Sequence, residues 1–67
     1  MAKPAYSFGH AAVSNVPVKT EPDKYGDVKY LLHLDETVII DPNGGTEDYN
    51  LVTVNGITGY VPKALIK

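Results

Sequence analysis

The sequence predicts a small all-β domain, a five-stranded barrel. Three observations carry this. Short apolar and β-branched runs recur with turn signals every ~8 to 12 residues, the spacing of a small barrel or sandwich. No stretch repeats apolar residues at a helical period. Leu51 to Val54 and Ile57 to Val61 are split by Asn55-Gly56. That is the strongest short-range hairpin signal, because a type I′ turn needs positive φ at both central residues and Asn and Gly tolerate it best. At 67 residues the chain has room for one small domain, stabilised by a limited core.

In order along the chain, Met1 to Ala5 reads as a flexible lead-in, and residues 6–67 as the single domain. Tyr6 and Phe8 alternate with Ser7 and Gly9 ahead of Ala11 to Val13, which suits a weak strand interrupted near Gly9. Val16 and Val18 lie two apart and face one side. Pro17 between them has no N–H to donate, which predicts an edge strand or extended segment. Pro22, Asp23, Gly26 and Asp27 supply turn chemistry for a long loop from about Thr20 to Asp27. Val28 to Leu34 alternates, with Val28, Tyr30, Leu32 and Leu34 on one face. Asp35-Glu36 turns the chain into Thr37 to Ile40, all β-branched. Asp41-Pro42-Asn43-Gly44-Gly45 and then Thr46 to Asp48 form the next loop. The Asn55-Gly56 hairpin follows, and Pro62 ends it. Pro62-Lys63-Ala64 fits a tight 3₁₀ turn ahead of a last short strand at Leu65-Ile66. The expected core is Val16, Val18, Val28, Leu32, Val38, Ile40, Val52, Val54, Val61 and Leu65.

Composition removes several function classes. There is no cysteine, hence no disulfide framework, thiolate metal site or cysteine nucleophile. Ser7 and Ser14 lack a nucleophile-elbow context. His10 and His33 are isolated, outside any metal-ligand spacing. Asp23 with Asp27, or Glu47 with Asp48, could be read as paired carboxylates, but acidic residues in turns more commonly form the turn. Asn43-Gly44-Gly45 lacks the Gly-Lys-Ser/Thr ending and the helix of a phosphate loop. The reading is therefore no enzyme, no metal and no cofactor. Net charge is −2, and the basic residues Lys3, Lys19, Lys24, Lys29, Lys63 and Lys67 are scattered. That argues against nucleic acid, which selects a clustered basic face. No apolar run approaches the ~18 to 20 residues that span a bilayer, and no long apolar segment follows Lys3 as in a signal peptide. The compartment stays open: the chain could remain where it is made, or be part of a larger exported protein.

The aromatic residues are the informative set. Tyr6, Phe8, Tyr25, Tyr30, Tyr49 and Tyr60 are all the chain has, and a tyrosine ring can stack while its hydroxyl stays wet. Phe8, Tyr30 and Tyr60 suit packing at the core margin. Tyr25 in the long loop and Tyr49 after a turn-rich loop suit binding and packing equally.

The ordered set of segments resembles the bacterial SH3-like (SH3b) family over Val16 to Ile66. Val16-Pro17-Val18-Lys19-Thr20-Glu21-Pro22 takes the form of the family's apolar-x-Val-Arg-x-x-Pro segment, with Lys19 for arginine. Val28, Leu32 and Val38 keep the family's intervals, with Asp35 where a glycine is usual. Tyr49, Val52, Asn55-Gly56 and Gly59-Tyr60-Val61 match its Trp-x-x-Val, turn and Gly-Trp-Val, with tyrosine for both tryptophans. Gly59-Tyr60-Val61-Pro62 also looks like the end of eukaryotic SH3 domains. Leu65 stands where those carry a tyrosine, and the Ala-Leu-Tyr-Asp-Tyr motif and paired tryptophan of the proline-peptide groove are missing.

The resemblance implies an SH3-like barrel and a non-catalytic module holding a bacterial or phage protein to cell-wall peptidoglycan, or to a peptide. That location would be extracellular or at the cell wall. In such a barrel the long loop, the Asn43 to Asp48 loop and the Pro62 turn converge. Tyr25, Tyr49, Tyr60 and Pro62 would then line the ligand site, with Asp23 and Asp27 at its rim. The alternative is a structural part of a larger assembly, such as an oligomer, using the aromatic arm from Tyr6 to Val13. Nucleic-acid binding by a small barrel stands third.

Overall fold

The β-branched runs become strands wherever alternation gives them one apolar face. The computed structural model describes residues 6–67, and the lead-in expected at Met1 to Ala5 lies outside them. Six strands run in chain order: β1 (Ser7–His10), β2 (Val16–Lys19), β3 (Val28–Leu32), β4 (Thr37–Asp41), β5 (Tyr49–Val54) and β6 (Ile57–Pro62). A 3₁₀ turn, Lys63–Leu65, follows. All ladders are antiparallel, in one sheet of order β1-β4-β5-β6-β2-β3.

The all-β class holds, and the five-stranded barrel is corrected. The sheet has six strands and is not closed, with β1 and β3 at its two ends. The N-terminal arm pairs fully with β4, Ser7 opposite Ile40 through His10 opposite Thr37. The strand expected at Leu65-Ile66 shrinks to one bridge, between Ile66 and Ala11.

Pro17 illustrates how a non-donor is placed. In strand order β2 lies between β6 and β3, so it is not a sheet edge. However, β6 meets β2 only at Tyr60 opposite Lys19. Pro17 therefore has a partner on one side only, Leu31 on β3, which is the environment a strand proline needs.

The core is Ala11, Val16, Val18, Leu32, Val38, Val52, Val54 and Val61, with Tyr30, Ile40, Ile57, Leu65 and Ile66 packed against it. Burying one such side chain stabilises the fold by roughly 1.5–3 kcal/mol. Ile40 and Leu65 are thus half-buried margins of the expected core. Val28 is the clear error, because it is 53% exposed. The cause is a bulge. Val18 pairs with Tyr30, but the next pair is Lys19 with Val28, so Lys29 is an extra residue on β3. One inserted residue breaks the two-residue alternation. Val28 follows Lys19 to the outer face instead of joining Tyr30 and Leu32.

Ala11 was not expected inside. It is buried because the chain beyond β1 is clasped from two directions. Its N–H donates to the Glu36 carbonyl at 3.1 Å, and its carbonyl accepts the Asp35 N–H at 2.8 Å. Opposite, His10 and Lys67 exchange backbone bonds at 2.9 and 2.8 Å, and the Ala12 N–H donates to the Leu65 carbonyl at 2.8 Å. An exposed Lys67–Asp35 ion pair at 2.9 Å lies beside this clasp. The turns follow their chemistry. Asn55 and Gly56 have φ of 50° and 76°, and Asp35 has φ of 64°. Asp35 thus occupies a left-handed position that glycine would fill freely and that Asp tolerates better than most residues.

Candidate functional site

The β5–β6 hairpin builds an outward-facing set of side chains. Tyr49 pairs with Pro62 and Leu51 with Tyr60, while Asn50 with Val61 and Val52 with Gly59 form the opposite, core-facing set. Directly paired residues face the same side of a sheet, and residues two apart along a strand share a face. Tyr49, Pro62, Leu51 and Tyr60 are therefore adjacent on the outer face. Tyr49, Leu51, Tyr60 and Pro62 are each half-buried, as rings and aliphatic groups lying along a sheet surface should be.

Two close approaches fix the borders of this patch. Gly59 lets β2 pack against β6: a Cβ there would stand 2.7 Å from both the Lys19 carbonyl oxygen and Val18 Cγ1. That contact brings Lys19 alongside Tyr60, and Val28 alongside Lys19. On the other side, the loop after β4 folds onto Leu51, because a Cβ at Gly44 would run into the Leu51 side chain. The same loop is held by the Asn43 N–H donating to Asp41 Oδ1 at 2.9 Å and the Thr46 N–H donating to the Tyr49 carbonyl at 2.8 Å. The Lys63 N–H donates to the Asp48 carbonyl at 2.9 Å and ties the loop to the 3₁₀ turn. Leu51 to Val28 is thus a continuous outward row, Leu51–Tyr60–Lys19–Val28, with Tyr49 and Pro62 beside its first half.

Asp23, Tyr25 and Asp27 are elsewhere. Their loop is self-contained. The Thr20 N–H donates to the Asp27 carbonyl at 2.9 Å, and the Asp27 N–H donates to Thr20 Oγ1 at 3.0 Å. Asp23 Oδ1 accepts the Tyr25 N–H at 2.8 Å, an Asx turn that occupies that oxygen. Tyr25 is 82% exposed, with the Lys24 ammonium 5.2 Å from its ring centroid. Because Lys19 opposes Tyr60 in antiparallel register, the chain leaves β2 past Gly59 towards Thr58. Tyr49 and Pro62 mark the other end of β6. The structure brings Tyr49, Tyr60 and Pro62 together. The long loop departs from the opposite end of that strand, so the convergence expected of the three loops is not what this register makes.

Tyr30 is taken up by an internal network. Its hydroxyl donates to Glu36 Oε2 at 2.7 Å and accepts from Asn55 Nδ2 at 3.0 Å, while Glu36 Oε1 accepts the His33 N–H at 2.8 Å. The His33 N–H, then the Tyr30 hydroxyl, hold the Glu36 carboxyl below its ordinary value. The Glu36 carboxylate in turn raises the Tyr30 phenol, chiefly through their hydrogen bond. This network locks the His33–Glu36 turn to the Asn55 turn. Its members lie far apart in sequence, so no motif announces it. Among the described residues no three of His, Asp or Glu are grouped to hold a metal ion.

Three members of the outward row, Leu51, Lys19 and Val28, are not among the residues the sequence singles out for the site, and Val28 was expected in the core. Lys19 had a signal: it directly follows core-facing Val18, so alternation puts it on the outer face. Compared with family models, with curated proteins and with solved structures, the chain matches none.

Proposed function

We propose that this chain is a non-catalytic binding module whose ligand lies along the outer face at Tyr49, Tyr60 and Pro62. The resemblance of Val16 to Ile66 to the bacterial SH3-like barrels suggests the ligand class, cell-wall peptidoglycan or a peptide, and a role in holding a larger bacterial or phage protein to it. The observation that carries the reading is the pairing of Tyr49 with Pro62 beside Tyr60. Two phenol rings and a proline on adjacent strands offer flat apolar surface with wet hydroxyls, which suits stacking on a sugar face or an extended peptide. One such patch binds weakly, and a neighbouring module supplies avidity.

The test is co-sedimentation with purified cell-wall sacculi, with the fold followed by thermal melting. Wild type should sediment, and Tyr49→Ala and Tyr60→Ala should each reduce the bound fraction several-fold while still melting cooperatively. Full retention of binding in both variants would refute the site. The second reading, assembly through the N-terminal arm, rests on Phe8. It is 72% exposed on the end strand and paired with exposed Ile39. A stable oligomer on a sizing column, lost in Phe8→Ser, with no wall binding, would favour it.

A further inference from the structure

Lys19 is the one charged residue buried among the described residues, at 9% exposure. It is flanked on the outer face by Tyr60 on one side and Val28 on the other. All the chain's Asp and Glu residues lie within residues 6–67, yet the only ion pair among the described residues is Lys67 with Asp35. No buried side-chain nitrogen or oxygen among them lacks a partner. Lys19 is thus mostly covered yet pairs with none of the Asp and Glu carboxylates, the arrangement of a snorkelling lysine whose stem is packed and whose charge is left for a ligand. A covered stem has already lost much of its rotamer freedom, so the charge is held ready on the residue that pairs with Tyr60. A half-dry setting also strengthens a charge-assisted hydrogen bond to an incoming anion.

We propose that Lys19 is the anion-binding point of the outer face, and that the ligand it takes is a peptide carrying a carboxylate, with the adjoining apolar part of that peptide on Tyr60 and Val28. This rests on the binding-module reading and names the chemistry of its ligand. A bare phosphate or sulfate would use the charge alone. The apolar flanks on both sides select an anion attached to an apolar chain. The carboxylate can be a peptide's C-terminus or an acidic side chain, and the probes separate the two.

The experiment is an amide-shift titration of the isotopically labelled chain with three probes: acetyl-tetra-alanine, its C-terminal amide, and an acetylated, amidated tetra-alanine with one alanine replaced by glutamate. Shifts should centre on Lys19, Tyr60 and Val28. At least one carboxylate probe should bind about tenfold more tightly than the neutral amide, and whichever does identifies the source. Lys19→Met, which keeps an apolar stem, should reduce that probe to the affinity of the amide, and Lys19→Arg should restore the difference. Equal binding of charged and neutral probes, or a preference that survives in Lys19→Met, would overturn the proposal. If wall fragments move Tyr49 and Tyr60 while charged and neutral probes behave alike, only the role of Lys19 fails. If neither fragments nor probes shift the face, the binding-module reading fails with it.

Discussion

Gly59→Ala tests the packing that creates the outer row. A Cβ at this position meets the Lys19 carbonyl oxygen and Val18 Cγ1, each at 2.7 Å, well inside normal contact. Neither neighbour can yield easily. Val18 is fully buried, and the Lys19 carbonyl belongs to the single residue through which β2 pairs with β6. The methyl group must push the two strands apart. Overpacking of this kind costs about 1–3 kcal/mol. A domain of 67 residues has roughly 3–10 kcal/mol to lose at ~0.05–0.15 kcal/mol per residue. At about 4–8 °C per kcal/mol for a domain of this size, a loss near 2 kcal/mol lowers Tm by roughly 8–16 °C. Thermal melting followed by far-UV circular dichroism reads this directly. Val18→Ala removes one of the two clashes and leaves the carbonyl, so the double variant should be less destabilised than the sum of the singles. A Tm within about 2 °C of wild type for Gly59→Ala would show that β2 does not pack on β6 as described.

Two further changes address the turns. Gly56→Val places a β-branched residue at φ of 76°, and although nothing crowds the site, the backbone conformation alone should cost about 1–2 kcal/mol or more, read as a lower denaturation midpoint. Glu36→Gln should flatten the acid limb of stability. Because the carboxyl sits below its ordinary value of 4.5, its contribution is complete above that pH and is lost as pH falls through the lowered folded-state value, so urea melts of wild type should weaken in that window more steeply than those of the variant. Identical acid limbs would remove Glu36 from the pH dependence.

The hairpin was legible because its turn is encoded by two adjacent residues, Asn55-Gly56, whose conformational tolerance is local. Most of the core was legible because alternation survives in β2, β4, β5 and β6. Val28 was misplaced because the Lys29 bulge exists only in the pairing of β3 with β2, and no residue type marks it. The Lys29 ammonium reaches the Thr58 carbonyl, a contact that depends on tertiary pairing. Ala11 was missed because an alanine carries little apolar signal, and its burial depends on chain ends that meet only after folding. For the candidate site, composition and the resemblance point to Tyr49, Tyr60 and Pro62, which the hairpin register makes neighbours. Their separation from Asp23, Tyr25 and Asp27 is set by the register of Lys19 against Tyr60, one pairing that the sequence does not spell out. Asp35 stands at φ of 64°, a left-handed position that its residue type does not announce in the sequence.

The reciprocal bonds between His10 and Lys67 also decide how the fold answers a mechanical load. In that antiparallel clasp, the chain leading back from His10 and the end at Lys67 leave from the same side. Tension between the two ends therefore opens the clasp like a zipper, His10–Lys67 first and Ala12–Leu65 next, instead of shearing all of its bonds at once. The bridge at Ala11 yields with them, and the core is reached from the Ala11 side. Drawing Lys67 away from His10 thus opens this seam bond by bond, while the Tyr49–Pro62 and Leu51–Tyr60 pairs of the outer face stay zipped together in their own hairpin.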